Sequence, residues 1–295
     1  MIKKRCGHIA IIGRPNVGKS TLLNSLLKQK LVITSKKPQT TRHSILGIKT
    51  TDDVQAIYVD TPGFRNVTQH ALHRYLNRTA EKFIYDMDVL VWVVDATRWT
   101  ADDEAVLALL KKTDRPVVLA VNQIDKLKDK SQLLPLIDRM KSMHEFVEIV
   151  PMSALSRENI DEFEASLFAH LPESEFMYEA HHLTDRDEDF ILSEIVREKI
   201  MRYLGEEVPY SAAVEIEQKK LDGNLYRINA LIWVEREGQK AIIIGKKGEM
   251  LKRIGKQARL AMEEYLKKKV YLECWVKVRA GWSDDEEGLK KFGYE

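Results

Sequence analysis

The chain has 295 residues, of which 44% are hydrophobic and 31% charged, and its formal net charge is +2. This composition predicts a soluble globular protein with room for two domains. No apolar run approaches the roughly 20 residues of a membrane span, and the N-terminus lacks a signal-peptide core, so the expected compartment is the cytoplasm. Cys6 and Cys274 lie far apart in sequence, which suggests neither a disulfide framework nor a metal site.

A hydrophobic segment followed by a glycine-rich loop opens the chain. Residues 9–12 predict a buried strand, and residues 13–20 (GRPNVGKS) have the phosphate-loop spacing of a glycine, four residues and then Gly-Lys-Ser. The predicted helix that follows presents unpaired N–H groups and a positive dipole end, which favour bound phosphates. We expect Lys19 to reach the β and γ phosphates and the Ser20 hydroxyl to bind Mg²⁺.

A polar segment and two predicted strands come next. Residues 31–43 form a predicted surface loop interrupted by Pro38, and the second of the two strands runs directly into DTPG at residues 60–63. Taken alone, DTPG is a common turn. About forty residues after a phosphate loop, however, Asp60 is placed to hold Mg²⁺ through water and the Gly63 amide to meet a γ-phosphate.

The remaining strands of this half alternate with helices. That alternation predicts a mostly parallel, six-stranded sheet covered on both faces, with ligands at the carboxyl ends of the strands. NQID at residues 122–125 ends one such strand, so the Asp125 carboxylate is placed to accept both N1–H and the exocyclic amine of guanine. Ser153 and Ala154 end the last strand, where their backbone is expected to meet guanine O6.

The five segments GRPNVGKS, PQTTRH, DTPG, NQID and SAL occur here in one order, and residues 6–172 resemble a translation-factor-type GTPase domain. The resemblance implies the cofactors GTP or GDP and Mg²⁺, with Thr41 rather than Thr40 as the switch threonine. The implied Mg²⁺ ligands are Ser20, Thr41 and Asp60, and the implied catalytic residues are Lys19, Thr41, Gly63 and Asn16. The implied nucleotide contacts are Gly13, Arg14, Pro15, Asn16, Val17, Gly18, Lys19, Ser20, Thr21, Asp60, Thr61, Pro62, Gly63, Asn122, Gln123, Asp125, Ser153 and Ala154.

Two residues depart from the family pattern. Gln123 replaces the lysine whose stem packs across the guanine ring, so we expect retained guanine selectivity with weaker base affinity. Phe64 follows DTPG where Ras-like enzymes carry a water-orienting glutamine, which predicts a low intrinsic rate of hydrolysis. Asn16 is a candidate K⁺ ligand, as in related GTPases that use K⁺ in place of an arginine finger. The alternative is that Asn16 braces the loop through its own hydrogen bonds.

A polar, acidic stretch separates this half from the next. Residues 173–189 are the predicted linker, and the pair His181 and His182 is expected to be solvated, because adjacent residues face apart in regular structure and no third ligand is near. An amphipathic helix is predicted from Phe190, followed by a hairpin whose turn is LDGN. Residues 282–295 are predicted to be a C-terminal tail.

The last third of the chain carries a local basic field. Residues 238–279 contain twelve Lys and Arg against four Glu, a net charge of +8. Their centre, GKKG at residues 245–248, lies in the element order helix, two strands, helix, loop, helix, strand. Residues 190–281 therefore resemble a smaller α+β domain of the prokaryotic KH type, whose GXXG loop clamps about four nucleotides of single-stranded RNA.

The predicted RNA contacts are hydrophobic residues that floor the base groove and cations that seek phosphates. They are Ile242, Ile244, Gly245, Lys246, Lys247, Gly248, Lys252, Arg253 and Lys256, with additional charge from Lys240. Ile254 is a further candidate for the groove floor. The alternative for Ile242, Ile244 and Ile254 is that at least two of them are simply core.

A GTPase domain followed by one KH domain resembles a family of bacterial ribosome-assembly GTPases over essentially the whole chain. The resemblance implies binding to the 3′ end of small-subunit ribosomal RNA and to the 30S particle during its maturation. It also implies partial peripheral association with the inner membrane, and we expect a monomer. The alternative is a regulatory NTPase whose second domain binds a protein or a non-ribosomal RNA.

Overall fold

The computed structural model of the chain describes residues 4–35, 37, 40–41, 44–64, 77, 81, 83–205, 208 and 212–282. Internal contacts divide the chain into two units, the first comprising residues 1–32, 41–69 and 73–185 and the second residues 33–40, 70–72 and 186–295. Most of the helix predicted after DTPG, and residues 283–295 of the predicted tail, lie outside the described residues. No helix in the described part of the chain is long and apolar enough to cross a membrane.

The first unit is built on a sheet whose described strands number six. The strand order is β2-β3-β1-β4-β5-β6, and every neighbouring pair is parallel except β2 with β3. The strands are β1 (Arg5–Ile12), β2 (Ile45–Thr50), β3 (Val54–Asp60), β4 (Val89–Asp95), β5 (Val117–Asn122) and β6 (Glu148–Pro151). The helices of this unit whose bounds are described are α1 (Lys19–Leu27), α2 (Ala101–Leu110), α3 (Leu133–Lys141) and α4 (Ile160–Ala169), of which the last follows β6.

The central strands of this sheet explain why it forms. All residues of β5, and all but the last of β4, are buried, which is typical of parallel strands covered on both faces. The phosphate loop follows β1, DTPG ends β3, and NQID begins at the end of β5. Because carboxyl ends of parallel strands share one edge of a sheet, the predicted motifs converge there.

The second unit contains a three-stranded sheet and helices. Its described elements are α5 (Glu188–Tyr203), β7 (Ala213–Asp222), β8 (Leu225–Val234), α6 (Glu237–Ile244), α7 (Glu249–Leu266) and β9 (Lys269–Val278). Strand β8 is central, antiparallel to β7 and parallel to β9. Gly223, at φ 58°, lies in the hairpin turn between β7 and β8. The elements follow the predicted order, with residues 245–248 between α6 and α7.

The stretch predicted as a linker lies along the first unit for most of its length. The Ser174 amide donates to the carbonyl of Lys4 (3.2 Å), and the Ile48 amide donates to the carbonyl of Leu183 (2.9 Å). The Leu46 amide donates to the Asp185 carboxylate at 3.0 Å. Two residues, 186 and 187, therefore separate the last of these contacts from the start of α5.

Candidate functional sites

The phosphate loop adopts backbone conformations that require glycine. Gly13 has φ 147° and Gly18 has φ 103°, and a Cβ on Gly13 would lie 2.4 Å from the Val93 carbonyl oxygen. Lys19, the first residue of α1, folds over the loop and donates from Nζ to the carbonyls of Gly13 and Arg14, at 3.0 Å each. Burial lowers the pKa of Lys19 to about 8. The loop thus holds an ammonium group beside the N-terminus of a helix, where phosphates bind.

Three predicted Mg²⁺ ligands meet beside this loop. Ser20 Oγ lies 2.8 Å from both Thr41 Oγ1 and Asp60 Oδ2, and Thr41 Oγ1 donates to the same carboxylate oxygen at 3.1 Å. Asp60 is fully buried, which raises the pKa of its carboxyl group, while Lys19 opposes that rise. Its Oδ1 is buried without a hydrogen-bond partner. A cluster of oxygen ligands with one unsatisfied carboxylate oxygen fits Mg²⁺.

The choice between the two adjacent threonines agrees with this geometry. Thr40 Oγ1 donates to the carbonyl of Lys37 at 2.7 Å, whereas Thr41 Oγ1 points to Ser20 and Asp60. The side chain of Thr41 is therefore the one available to a cation held by Asp60.

Asn122 joins the loops that would surround a guanine nucleotide. Its Nδ2 donates to the carbonyl of Val17 in the phosphate loop (2.7 Å), and its Oδ1 accepts from the Ala154 amide (2.9 Å). Ser153 Oγ donates to Asp125 Oδ1 at 2.6 Å, which orients the carboxylate. Asp125 is itself exposed, so the structure presents an oriented acceptor for two neighbouring N–H donors.

The two backbone amides predicted to meet guanine O6 are engaged within the protein. The Ser153 amide donates to the carbonyl of Glu158 at 3.1 Å, and the Ala154 amide donates to Asn122. The structure therefore uses both groups to brace the loop after β6, and this geometry does not support their predicted contact with O6.

Two residues that were predicted to contact the nucleotide form hydrogen bonds within the protein through their side chains. Arg14 Nε donates to Asp103 Oδ2 at 2.9 Å, and Arg14 Nη2 lies 3.4 Å from Asp95 Oδ2. Thr61 Oγ1 is buried and donates to the carbonyl of Ile11 at 2.8 Å. These side chains are therefore engaged inside the protein, as buried polar groups usually are. Only their backbone remains available to a nucleotide.

Sequence reasoning missed the role of Asp103. It lies three residues after Thr100, whose amide and hydroxyl both donate to Asp103 Oδ2 at 2.9 Å. This is a capping box at the start of α2, and the same carboxylate orients Arg14. The Thr-x-x-Asp spacing was visible in the sequence, but its contact with the phosphate loop was not.

The other predicted residues of this half lie around the same loops. Pro15 and Gly63 approach so closely that a Cβ on Gly63 would lie 2.8 Å from the Pro15 nitrogen. Val17 and Pro62 are buried, and Thr21 is partly buried on α1. The close approach explains why a glycine ends DTPG.

Phe64 is directed into the hydrophobic core of the first unit. Its side chain packs against the cluster that includes Trp92 and Val106, and its amide donates to the Gly13 carbonyl at 3.2 Å. A partly buried phenylalanine ring offers no hydrogen bond to an attacking water. The prediction that Phe64 does not replace a water-orienting glutamine is consistent with this placement.

Gln123 braces the phosphate loop instead of extending freely toward a base. It has a positive φ of 68°, its Nε2 donates to the Asn16 carbonyl at 3.0 Å, and its Oε1 accepts from Lys126. Asn16 also has a positive φ, 67°, and is exposed. The two residues together shape the rim of the loop.

Replacing Gln123 by Lys is expected to tighten GDP binding about two- to fivefold. The longer cationic stem covers the guanine ring, and an exposed cation–aromatic contact has a free energy of about 0.5–1 kcal/mol. Equilibrium titration with a fluorescent GDP measures the change, and Lys126→Gln serves as a control that removes only the partner of Gln123. Unchanged or weaker binding in the Lys variant contradicts the expectation.

The GKKG loop exposes its lysines on a strained backbone. Gly245, Lys247 and Gly248 have φ of 71°, 53° and 77°, and the Gly248 amide donates to the Gly245 carbonyl at 3.1 Å. A Cβ on Gly245 would lie 2.7 Å from the Cβ of Met250, whereas a Cβ on Gly248 would meet nothing within 4 Å. Gly245 is needed for packing against α7, and Gly248 leaves backbone open to a ligand.

The hydrophobic residues near this loop divide between surface and core. Ile242 is 52% exposed and Ile244 partly exposed, whereas Ile254 is fully buried. Ile254 therefore belongs to the core and Ile242 to the surface, so the alternative that at least two of the three are core depends on the half-buried Ile244. An exposed isoleucine beside GKKG agrees with a floor for bases.

The predicted basic residues of α7 lie on its exposed surface. Lys252, Arg253 and Lys256 are exposed, as are Lys246 and Lys247. The Arg253 guanidinium also lies 4.4 Å from the centroid of the Tyr203 ring. The positive charge of Arg253 is therefore exposed while its guanidinium group lies over the Tyr203 ring.

Comparison with known proteins places both halves in known families. Residues 8–123 match the family model described as 50S ribosome-binding GTPase, and residues 207–283 match the KH domain model. GTPase Era of Ectopseudomonas mendocina is 54% identical over 98% of this chain and 97% of its own length. GTPase Era of Azotobacter vinelandii is also 54% identical, with the same coverage. The chain belongs to the Era family of GTPases.

Solved structures of this family match the whole chain. An Era variant from Aquifex aeolicus bound to GDP·AlF4⁻ has a TM-score of 0.94 and 41% identity, over 98% of this chain and 99% of that one. Era in complex with MgGDPNP and nucleotides 1506–1542 of 16S ribosomal RNA has a TM-score of 0.95 and 41% identity, over 99% of both chains. The predicted fold class, a P-loop GTPase domain followed by a KH domain, is confirmed. The protein is a GTPase that binds GTP and GDP.

Proposed function

We propose that this protein is a GTP-operated switch that binds single-stranded RNA at GKKG, and that its target is the 3′ end of small-subunit ribosomal RNA during 30S assembly. The observation that carries the proposal is the presence in one chain of an oriented guanine site at Asp125 and an exposed GKKG loop. A relative with 41% identity holds MgGDPNP together with nucleotides 1506–1542 of 16S ribosomal RNA.

Mg²⁺ bound with the nucleotide is the proposed signal for the switch loop. Ser20, Thr41 and Asp60 would hold the ion, which neutralises phosphate charge during hydrolysis. Thr41 belongs to a polar segment between α1 and β2, so its contact with Asp60 keeps one end of that segment ordered. Loss of the γ-phosphate releases such loops in GTPases.

The residues that precede Thr41 in the same segment support a link between GTP and RNA. Residues 33–40 group with the second unit, where Arg197 of α5 donates to the Thr40 carbonyl. Lys37 Nζ donates to the carbonyls of Leu204 and Gly205, the latter at 3.1 Å. Arg197 is buried and paired with Glu194 on its own helix. The segment thus has its own hydrogen bonds to α5 and to the two residues that follow it.

The test measures each ligand's effect on the other. Saturating RNA carrying the 3′ end of small-subunit ribosomal RNA should change both the affinity for a non-hydrolysable GTP analogue and the rate of GTP turnover, and the analogue should change RNA affinity by the same factor. Absence of RNA binding contradicts the proposed target. RNA binding without any effect on nucleotide affinity or turnover contradicts the switch.

Variants of α5 sharpen this test. Arg197→Ala removes the donor to Thr40 and should reduce the coupling factor between RNA and nucleotide, while Arg197→Lys retains a cation opposite Glu194. Arg202→Ala is the matched control, because Arg202 lies on the same helix and pairs with Glu198 at 2.9 Å. Equal coupling in the Arg197→Ala and Arg202→Ala variants would exclude the Thr40 contact from the mechanism.

K⁺ is a further proposed cofactor, with Asn16 as its protein ligand. The side chain belongs to an exposed residue at the rim of the phosphate loop, and Phe64 supplies no group to orient water. GTP turnover is expected to be faster in KCl than in NaCl at equal ionic strength, and Asn16→Ala should remove the difference. Equal rates in the two salts for the unaltered protein contradict the role of K⁺.

The remaining family expectations concern location and assembly. A cytoplasmic monomer with partial peripheral contact at the inner membrane stays a prediction from the family resemblance. Flotation with anionic vesicles and light scattering at working concentration test the membrane contact and the monomeric state respectively.

A further inference from the structure

A turn before the second unit brings two histidines and a glutamate together. The His182 amide donates to the Glu179 carbonyl at 2.9 Å, which closes a four-residue turn. The imidazole centroids of His181 and His182 are 5.4 Å apart with 30° between their planes, and His181 Nδ1 lies 3.4 Å from Glu179 Oε2. The expectation that adjacent histidines face apart with no third ligand near is wrong, because a turn replaces the regular geometry on which it rested.

The spacing of these groups is close to that of a metal site. Candidate ligand atoms of Glu179, His181 and His182 all lie within 4.8 Å of one another, and within the part of the chain that the structure describes this is the one such group. Ligands at 2.0–2.1 Å from a tetrahedral ion are about 3.4 Å apart. All three side chains are exposed, so rotation about their χ angles can bring them to that distance without disturbing packing.

The turn is anchored on both sides by the first unit. Gln55 is fully buried, and its Oε1 accepts from the amides of Met177 (2.8 Å) and Tyr178 (2.9 Å). Its Nε2 donates back to the Tyr178 carbonyl at 2.8 Å. After the turn, the Leu183 carbonyl accepts from the Ile48 amide at 2.9 Å. A backbone held in this way loses little conformational entropy when its side chains take a ligand.

We propose that Glu179, His181 and His182 form a surface site for a divalent transition-metal ion, with Zn²⁺ as the representative. Two imidazole nitrogens and one carboxylate oxygen are ligands that Zn²⁺ accepts, and they leave a fourth position for water. Mg²⁺ prefers oxygen ligands and octahedral geometry, so this site is chemically distinct from the Ser20 and Asp60 cluster. The ion would fix the chain three residues before Asp185, the last residue of the first unit.

The test is Zn²⁺ binding by the full chain after treatment with chelator, with excess Mg²⁺ and GDP present to saturate the nucleotide site. Isothermal titration and competition with a chromophoric zinc indicator should find one bound Zn²⁺. Co²⁺ in its place should give the visible absorption of a low-symmetry site. No binding of either ion by the unaltered protein overturns the proposal.

Three variants locate the ion. His181→Ala/His182→Ala should weaken Zn²⁺ binding at least about tenfold, and Glu179→Gln should weaken it measurably, whereas His170→Ala, an exposed histidine on the same unit, should not. Thermal unfolding checks that each variant folds. Binding that survives in the double variant assigns the ion to other residues, and binding unaffected by Glu179→Gln removes the third ligand; either result contradicts the proposed site.

Discussion

Replacing Asp125 by Asn is expected to lower the affinity for GTP and GDP by about 10⁴-fold, because a site built around paired hydrogen bonds loses that much when the pairing fails. The carboxylate accepts N1–H and the exocyclic amine of guanine together, whereas an amide presents one acceptor and one donor. Xanthine has an oxygen at the position of the amine, so the variant should prefer xanthosine nucleotides. Competition between GDP and XDP for a fluorescent nucleotide measures both changes.

A matched control for this variant lies four residues along the chain. Asp129→Asn makes the same chemical change at an exposed carboxylate that accepts from the Ser131 amide at 2.9 Å. It should leave GDP affinity unchanged. Retained GDP affinity in the Asp125→Asn variant, or an equal loss in both variants, would show that Asp125 does not read the base.

Reversing the charge at Lys246 and Lys247 to Asp is expected to weaken RNA binding roughly 100-fold or more, because two cations that neutralise phosphates become anions that repel them. The corresponding double Ala variant should lower the slope of log affinity against log salt by about 1.4, the value for two lost contacts to a single strand. Filter binding across a salt series measures both effects. Intrinsic GTP turnover without RNA should not change.

Two lysines at the other end of α7 provide the control for this experiment. Lys267 is the C-cap of that 18-residue helix and has φ 53°, a conformation that Asp tolerates. Lys267→Asp/Lys268→Asp reverses the same charge away from the loop. If both double variants lose RNA affinity equally, the effect comes from the overall field of the domain and GKKG is not the clamp.

The sequence was sufficient for the parts of the site that depend on backbone and spacing. Residues 13–20 predicted a loop between a strand and a helix, and Gly13 and Gly18 do have the positive φ that such a loop requires. The choice of Thr41 over Thr40 rested on a family pattern, and the two hydroxyl groups do point in different directions. The succession of strands and helices along the chain followed from alternating hydrophobic segments.

Side-chain partners were harder to predict because they depend on contacts far apart in sequence. Arg14 lies in the phosphate loop, yet its guanidinium binds Asp103, 89 residues away. Gln55 is a polar residue of strand β3, and it is buried and accepts hydrogen bonds from the backbone amides of Met177 and Tyr178. Hydrophobic periodicity identifies which face of a helix or strand is buried. It carries no information about which distant polar group will form hydrogen bonds with a polar side chain on that face.

Asn122 has a consequence for how the nucleotide's parts contribute to binding. The side-chain amide of Asn122 forms hydrogen bonds with Val17 in the phosphate loop and with Ala154 in the loop after β6. It is so close to Gly18 that a Cβ on that glycine would lie 2.3 Å from Asn122 Nδ2. The free energies of binding for the base and for the phosphates are therefore not independent. A change in either loop alters the preorganisation of the other, so fragments such as pyrophosphate and guanosine should bind with affinities that do not sum to that of the whole nucleotide.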